Sequence, residues 1–297
     1  MKRTFALLAA LAFASTATAQ EGTLKKIKDS GSITIGHRDA SVPFSYYDDK
    51  QQPVGYAMDL CARIVEAVKT ELKMQKIETK YQLVTSANRI PLMANGTIDL
   101  ECGSTTNNLE RQKLVWFTIT HFVTANRWVA KRTAKLNKLA DLKGKTIVST
   151  AGTTNIKQIT ELNGEQKLGA NIISANGHAE AFQMVETGRA VAFVMDDILL
   201  YSLVAQSRSP KDYDISKEAL SVEPYGIMVR KDDKAFKEVA DKALSQVYKS
   251  GQINAIYSKW FEKPVPPKNI NLALPMPAAF KKVVAKPTDS GDPKAYE

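Results

Sequence analysis

Apolar positions recur along this chain in two alternating rhythms. Residues 32–38, 79–84, 98–102, 146–149, 171–174 and 190–195 are short runs with period-two alternation or continuous apolar character, which predicts strands. Between them, residues 55–72, 89–94, 155–162 and 178–186 carry helical periodicity, with Leu60, Ile64, Val65 and Val68 on one face of the first. Asn95-Gly96 and Gly188 punctuate the ends of two of these helices. Further helices are predicted at 24–30, 234–250 and 252–261. The strand–helix alternation marks parallel sheets covered by helices.

Two extended stretches interrupt the alternation. Residues 118–131 are longer than a usual strand, and residues 225–230 are extended again, so each predicts a crossing between lobes. The expected fold is α/β with two lobes, each a mostly parallel sheet flanked by helices, joined by two extended crossings. Lobe 1 is discontinuous, 20–128 and 228–297, and lobe 2 is 129–227. Residues 42–47 read as irregular, and the polar tail after Ala285 as loosely ordered. Residues 1–19 read as a signal peptide: Lys2 and Arg3, an apolar stretch over 5–14, then Ala17-Thr18-Ala19 as a small-x-small cleavage site. That predicts an exported, periplasmic chain starting at Gln20.

The formal net charge of +10 admits a nucleic acid, an anionic membrane or an anionic small ligand as partner. The lysines are spread, no aromatic–basic repeat is present, and export argues against nucleic acid. His37, His121 and His178 are too far apart in sequence for a metal-binding spacing, and no cofactor is expected. The two cysteines, Cys61 and Cys102, are compatible with one disulfide or with two buried thiols. Gly144-Lys145-Thr146 has the end of a phosphate loop but not its upstream glycine spacing.

The chemistry concentrates in Glu101-Cys102-Gly103-Ser104-Thr105-Thr106-Asn107-Asn108-Leu109-Glu110-Arg111, which follows a predicted strand. Backbone N–H groups, three hydroxyls and a guanidinium suit a carboxylate, and 106–111 reads as the opening of a helix, whose N-terminus favours an anion. Arg38, Ser104, Thr154 and Asp196 all fall at or just past strand carboxyl ends, where open α/β sheets bind ligands. An acidic amino acid carries two carboxylates and one ammonium, a balance that Arg38, Arg89, Arg111 and Asp196 match. Each residue also has a structural reading. Arg38 could pair with Asp39, Arg89 could pack at a helix start, and the hydroxyls of Ser86 and Thr154 could cap helices. Asp197 is expected to cap a helix, and His37, Trp116, Trp128 and Trp260 to be structural.

The segments around Gly36-His37-Arg38, 41–48, 101–108 and 189–197 resemble the periplasmic solute-binding proteins of polar amino acid ABC transporters, within them the glutamate/aspartate-binding group. The resemblance spans about 24–271. It implies two lobes that close on one amino acid and then dock on a membrane permease, with no catalysis. It also implies roles. Arg111 and Thr106 would clamp the α-carboxylate, with the Ser104 backbone nearby. Asp196 with Ser104 would hold the α-ammonium. Arg38, Ser86, Arg89 and His178 would surround the side-chain carboxylate, with Thr154 donating from the second lobe. A monomer is expected. The alternatives are a glutamine, asparagine or broader polar amino acid binder, a sensor module, or an exported dehydratase or lyase on the same scaffold.

Overall fold

The computed structural model describes residues 22–297, so the signal peptide read at 1–19 lies outside the described residues. The chain runs through helix α1 (Thr23–Ser30), strands β1 (Ser32–His37), β2 (Ala40–Ser41), β3 (Ser45–Tyr47) and β4 (Pro53–Val54), helix α2 (Tyr56–Glu71), β5 (Glu78–Leu83), α3 (Arg89–Ala94) and β6 (Leu100–Glu101). It continues through β7 (Val115–Phe117), β8 (Phe122–Lys131), β9 (Thr146–Thr150), α4 (Thr154–Glu165), β10 (Asn171–Ala175), α5 (His178–Glu186) and β11 (Ala192–Asp196). Then come α6 (Asp197–Gln206), β12 (Tyr213–Ile215), β13 (Ser221–Tyr225), β14 (Met228–Arg230), α7 (Lys234–Lys249), α8 (Gln252–Tyr257) and α9 (Ala278–Ala285).

Two mixed sheets form the cores of two lobes. The first has the order β5-β1-β6-β14-β7. Its β5, β1 and β6 are parallel, and β14, supplied late in the chain, pairs antiparallel with β6 and β7. The second has the order β10-β9-β11-β8-β12, with β13 also on β8. Here β10, β9 and β11 are parallel and β8 is antiparallel to β11. β8 must run that way, because it enters the second sheet from the first lobe, the side on which the parallel strands end. Residues 42–47, read as irregular, contain β3 in a small antiparallel sheet with β2 and β4.

The stretch 118–131 divides into a crossing and a strand. β7 ends at Phe117 in the first sheet, and by Phe122 the chain is paired with Tyr225 of β13. The return lies between Tyr225 and Met228. Aromatic rings fill the hinge: Phe44 lies 5.2 Å from Tyr225 and 5.0 Å from Phe122, and Tyr257 stacks on Phe261 at 4.3 Å. Aromatic pairs at such spacings contribute about 0.5–1.5 kcal/mol beyond their burial.

Helix α2 buries the face predicted from its periodicity, with Tyr56, Leu60, Cys61, Ile64 and Val68 wholly inaccessible. Each large apolar side chain so placed contributes roughly 1.5–3 kcal/mol. Cys61 on α2 is joined to Cys102, just past β6, by a disulfide, which resolves the alternative left open by the sequence. The tail after Ala285 differs from its expectation. Phe280 and Tyr296 are buried anchors. Between them Thr288 accepts from the Thr120 N–H (2.8 Å), and Asp289 forms an ion pair with Lys237 (2.8 Å). Thr120 Oγ1 also meets the Tyr296 hydroxyl at 2.7 Å. The polar residues that suggested disorder are consumed by partners distant in sequence.

Candidate functional site

Strand ends and the loops after them build the site. Arg38 follows β1 directly, Asp196 ends β11, and Ser104, Thr105 and Thr106 follow β6. The loop from 101 to 111 is not the opening of an α-helix. Thr106 forms an isolated antiparallel bridge with Tyr225, and Asn107 N–H donates to Pro224 O (2.7 Å). This tertiary pairing holds the chain extended, and only a three-residue 3-10 turn forms, Arg111–Lys113. The helix N-terminus invoked for anion binding is therefore not there. Side chains and loop N–H groups are the donors that remain for an anion there.

Three arginines converge beneath the surface. Arg38, Arg89 and Arg111 are all buried, and burial together with mutual repulsion depresses Arg38 and Arg111 to about 10. All three remain cations at neutral pH. Arg38 does not pair with Asp39: its Nε and Nη1 are buried without a partner, while its backbone N–H donates to Ser45 Oγ (2.9 Å). Arg89 donates from Nη1 to Thr105 Oγ1 (2.5 Å), leaving Nε unpartnered. Ser86 Oγ and Ser104 Oγ are buried and unpartnered too, so Ser86 is no helix cap. Buried polar groups are rarely left so, and a cluster of them marks a place built for a polar guest.

His178 opens α5 at the same place. Its Nδ1 lies 2.8 Å from Thr150 Oγ1, and its Nε2 is buried and unpartnered. Burial, then the charges of Arg38 and Arg89, push its pKa well below the ordinary imidazole value. The ring is neutral, and the tautomer in which the Thr150 hydroxyl donates to Nδ1 would leave Nε2 protonated as a donor.

The negative end is Asp196. It accepts from Asn155 Nδ2 (2.7 Å) on Oδ1 and from the Tyr225 hydroxyl on Oδ2. Burial, then the charge of Glu223, raises it to about 7. Its neighbour Asp197 does not cap α6 as expected. It accepts from Thr124 Oγ1 (2.5 Å) and pairs with Arg127 Nε (3.1 Å), because those groups project from β8 alongside.

The lobes meet at Arg111, which donates to Thr106 O (2.8 Å) in its own lobe and to Gly152 O (3.2 Å) in the other. Thr154 Oγ1 lies 3.5 Å from Thr106 Oγ1 and donates to Glu223 Oε2 (3.0 Å). At the rim, Lys157 pairs with Glu110 across the cleft (2.5 Å). Contacts and charge interactions thus link all the sequence-read residues except Ser86 and Ser104. Those two share their burial, and Ser86 O lies against Gly152.

Residues 33–263 match the profile of the bacterial extracellular solute-binding proteins, family 3. The chain belongs to this family. It is similar to the L-glutamate/L-aspartate-binding protein of Pseudomonas aeruginosa, with 53% identity over 90% of this chain and 89% of that one. It is also similar to the glutamate/aspartate import solute-binding protein of Escherichia coli, with 46% identity over 96% and 94%. Among solved structures, an arginine-binding protein of T. maritima superposes with a TM-score of 0.71 at 28% identity, covering 80% of this chain and 98% of its own. An ancestral arginine-binding protein bound to arginine gives 0.70 at 29%, covering 78% and 98%.

As a family 3 solute-binding protein the chain is a binder and not an enzyme. Among its described residues no helix is long and apolar enough to cross a membrane, and no cluster of metal-ligating side chains occurs. Sequence reasoning missed Glu223 and Tyr225, which face Asp196, and Glu101 with Thr105, which face Arg89. Glu223 and Tyr225 stand two residues apart in β13, which places them on one face. Glu101 and Thr105 stand inside the segment already singled out.

Proposed function

We propose that this protein captures an acidic L-amino acid, glutamate or aspartate, between its lobes and hands it to the membrane permease of an ABC importer. The observation that carries this reading is the buried set of unpartnered donors around Arg38, Arg89 and His178, with the buried acid Asp196 on a strand end of the other lobe. In this reading Arg38, Ser86, Arg89 and His178 Nε2 receive the distal carboxylate. Arg111 and Thr106 take the α-carboxylate with the Ser104 backbone, Asp196 takes the α-ammonium with Ser104, and Thr154 donates from lobe 2. Each ligand charge then meets an opposite one, which burial demands. The names of the Pseudomonas aeruginosa and Escherichia coli relatives favour the same solutes.

Closure works as a population shift, because a guest that touches both lobes stabilises the closed form. We place the moving parts on either side of 118–121 and 226–227, slightly before the 128/129 boundary read from the sequence. The protein acts as a monomer in the periplasm after loss of residues 1–19, and an oxidising compartment suits the Cys61–Cys102 bond. Titration calorimetry of ligand-stripped protein with L-glutamate, L-aspartate and L-glutamine tests the reading. The acidic pair should bind one to one. L-Glutamine should bind weaker by about 2 kcal/mol or more, roughly thirtyfold, because a neutral amide leaves buried donors unmet. Equal affinity for L-glutamine would replace the reading with a broader polar amino acid binder.

A further inference from the structure

Glu101 is a carboxylate with no accessible surface, beside two buried arginines. Its backbone is fixed in β6, between Gly36 of β1 and Met228 of β14. Its Oε2 accepts from the Thr105 hydroxyl (2.5 Å), and the Thr105 Oγ1 in turn accepts from Arg89 Nη1 (2.5 Å). Its Oε1 lies 4.0 Å from Arg89 Nη1 and has no hydrogen-bond partner. Gly103 lies between Glu101 and the Arg38 stem: a Cβ there would collide with Glu101 Oε1 and stand 3.2 Å from Arg38 Cγ. A buried acid held this way shapes the field of both guanidinium groups.

We propose that Glu101 is a specificity-determining residue, which cancels one of the two charges of Arg38 and Arg89 and, through Thr105, fixes the Arg89 guanidinium. The distal half of the site then offers the donors of two arginines but the net charge of one. That surplus equals one carboxylate, so a single acidic side chain neutralises it and an amide does not. Without Glu101 two cations would be buried unpaired in the ligand-free protein, a heavy penalty. The two functions separate by variant. Glu101→Gln removes the charge and keeps an oxygen to accept from Thr105. Thr105→Val keeps the charge and breaks the relay to Arg89.

The inference rests on the acidic amino acid reading, and the test separates the two. Dissociation constants for L-glutamate and L-glutamine would be measured on the wild type and both variants. A wild type without preference for L-glutamate would defeat the underlying reading. Given that preference, Glu101→Gln should widen it by at least about tenfold, because two surplus cations favour a carboxylate over an amide more strongly. Thr105→Val should narrow it by about tenfold, because Arg89 loses its anchor. Parallel weakening of both ligands, with the ratio within twofold of wild type, would reduce Glu101 and Thr105 to structural residues and overturn the proposal. A narrowed ratio in Glu101→Gln would overturn it as well. If Glu101→Gln does not fold, the Thr105→Val ratio decides alone.

Discussion

Gly152 of the second lobe stands so close to Ala87 of the first that a Cβ at 152 would lie 2.5 Å from the Ala87 Cα and 2.7 Å from its nitrogen. Both atoms are backbone and cannot rotate away, so any side chain at 152 must hold the lobes apart. Gly152→Ala should therefore weaken ligand binding at least tenfold and leave the ligand-bound protein more open in small-angle scattering. Position 152 has a φ of +74°, so the variant also pays backbone strain, on the order of 1 kcal/mol. Gly144→Ala controls for this: its φ is +67° and no atom lies within 4 Å of its would-be Cβ. Gly144→Ala should lose stability only, and equal affinity losses in the two variants would refute the steric account.

Arg111 ties its own loop to lobe 2 and is the clamp assigned to the α-carboxylate. Arg111→Ala leaves a ligand carboxylate without its cation in a buried place, which costs about 3–5 kcal/mol. Affinity for L-glutamate should fall by at least about a hundredfold, while circular dichroism and the unfolding midpoint of the ligand-free protein change little. Wild-type affinity in this variant would remove Arg111 from the site.

As the proposed partner of the ammonium, Asp196 should make binding depend on pH. Its pKa of about 7 in the ligand-free protein exceeds the ordinary 3.8, so the folded form holds a proton that the unfolded chain has released. Between pH 4 and pH 7 folding stability therefore falls as pH rises, on account of this group. An ammonium guest prefers the carboxylate, so binding below pH 7 releases the proton. Affinity should rise toward pH 7, by up to about a decade per unit, and level off above it. Burial and the charges of Arg38 and Arg89 lower the His178 pKa well below the ordinary imidazole value, so it does not titrate near pH 7. Calorimetry at pH 5.5, 6.5 and 8 in buffers of different ionisation enthalpy reads both the slope and the proton count. A flat profile with no proton release would place the ammonium elsewhere.

The Cys61–Cys102 bond closes a loop of 41 residues and ends one residue before Gly103. Bonds across such loops contribute about 4 kcal/mol by chain entropy. Replacing both cysteines by serine should lower the unfolding midpoint by roughly 10 °C. It should also weaken ligand binding severalfold, because the chain that presents Ser104 and Thr105 loses its tie to α2. An unchanged midpoint would mean that the packing of α2 alone holds this region.

Local pattern was enough for much of the architecture. α3 and α5 have the bounds read from periodicity, and the parallel set β5, β1 and β6 follows from strand–helix alternation. Arg111 was legible because a guanidinium beside a hydroxyl-rich loop has few other uses, whereas Arg38 and Arg89 stood out through the charge balance of an acidic amino acid and the family resemblance. What local pattern could not contain is the partner across the fold. The loop at 106–111 looked helical because its bridge to Tyr225 is invisible from within the segment. Asp197 looked like a cap until β8 placed Thr124 and Arg127 against it. The tail looked disordered because Thr120 and Asn107, which bind it, lie more than 160 residues away.

The near-contact of Gly152 and Ala87 also suggests a route to blocking uptake. An amino acid analogue that satisfies Arg111 and Asp196 but carries bulk toward Gly152 would occupy the site and keep the lobes ajar. Such a compound would compete for the protein without being passed on, an inhibitor whose potency comes from the space it denies to a glycine.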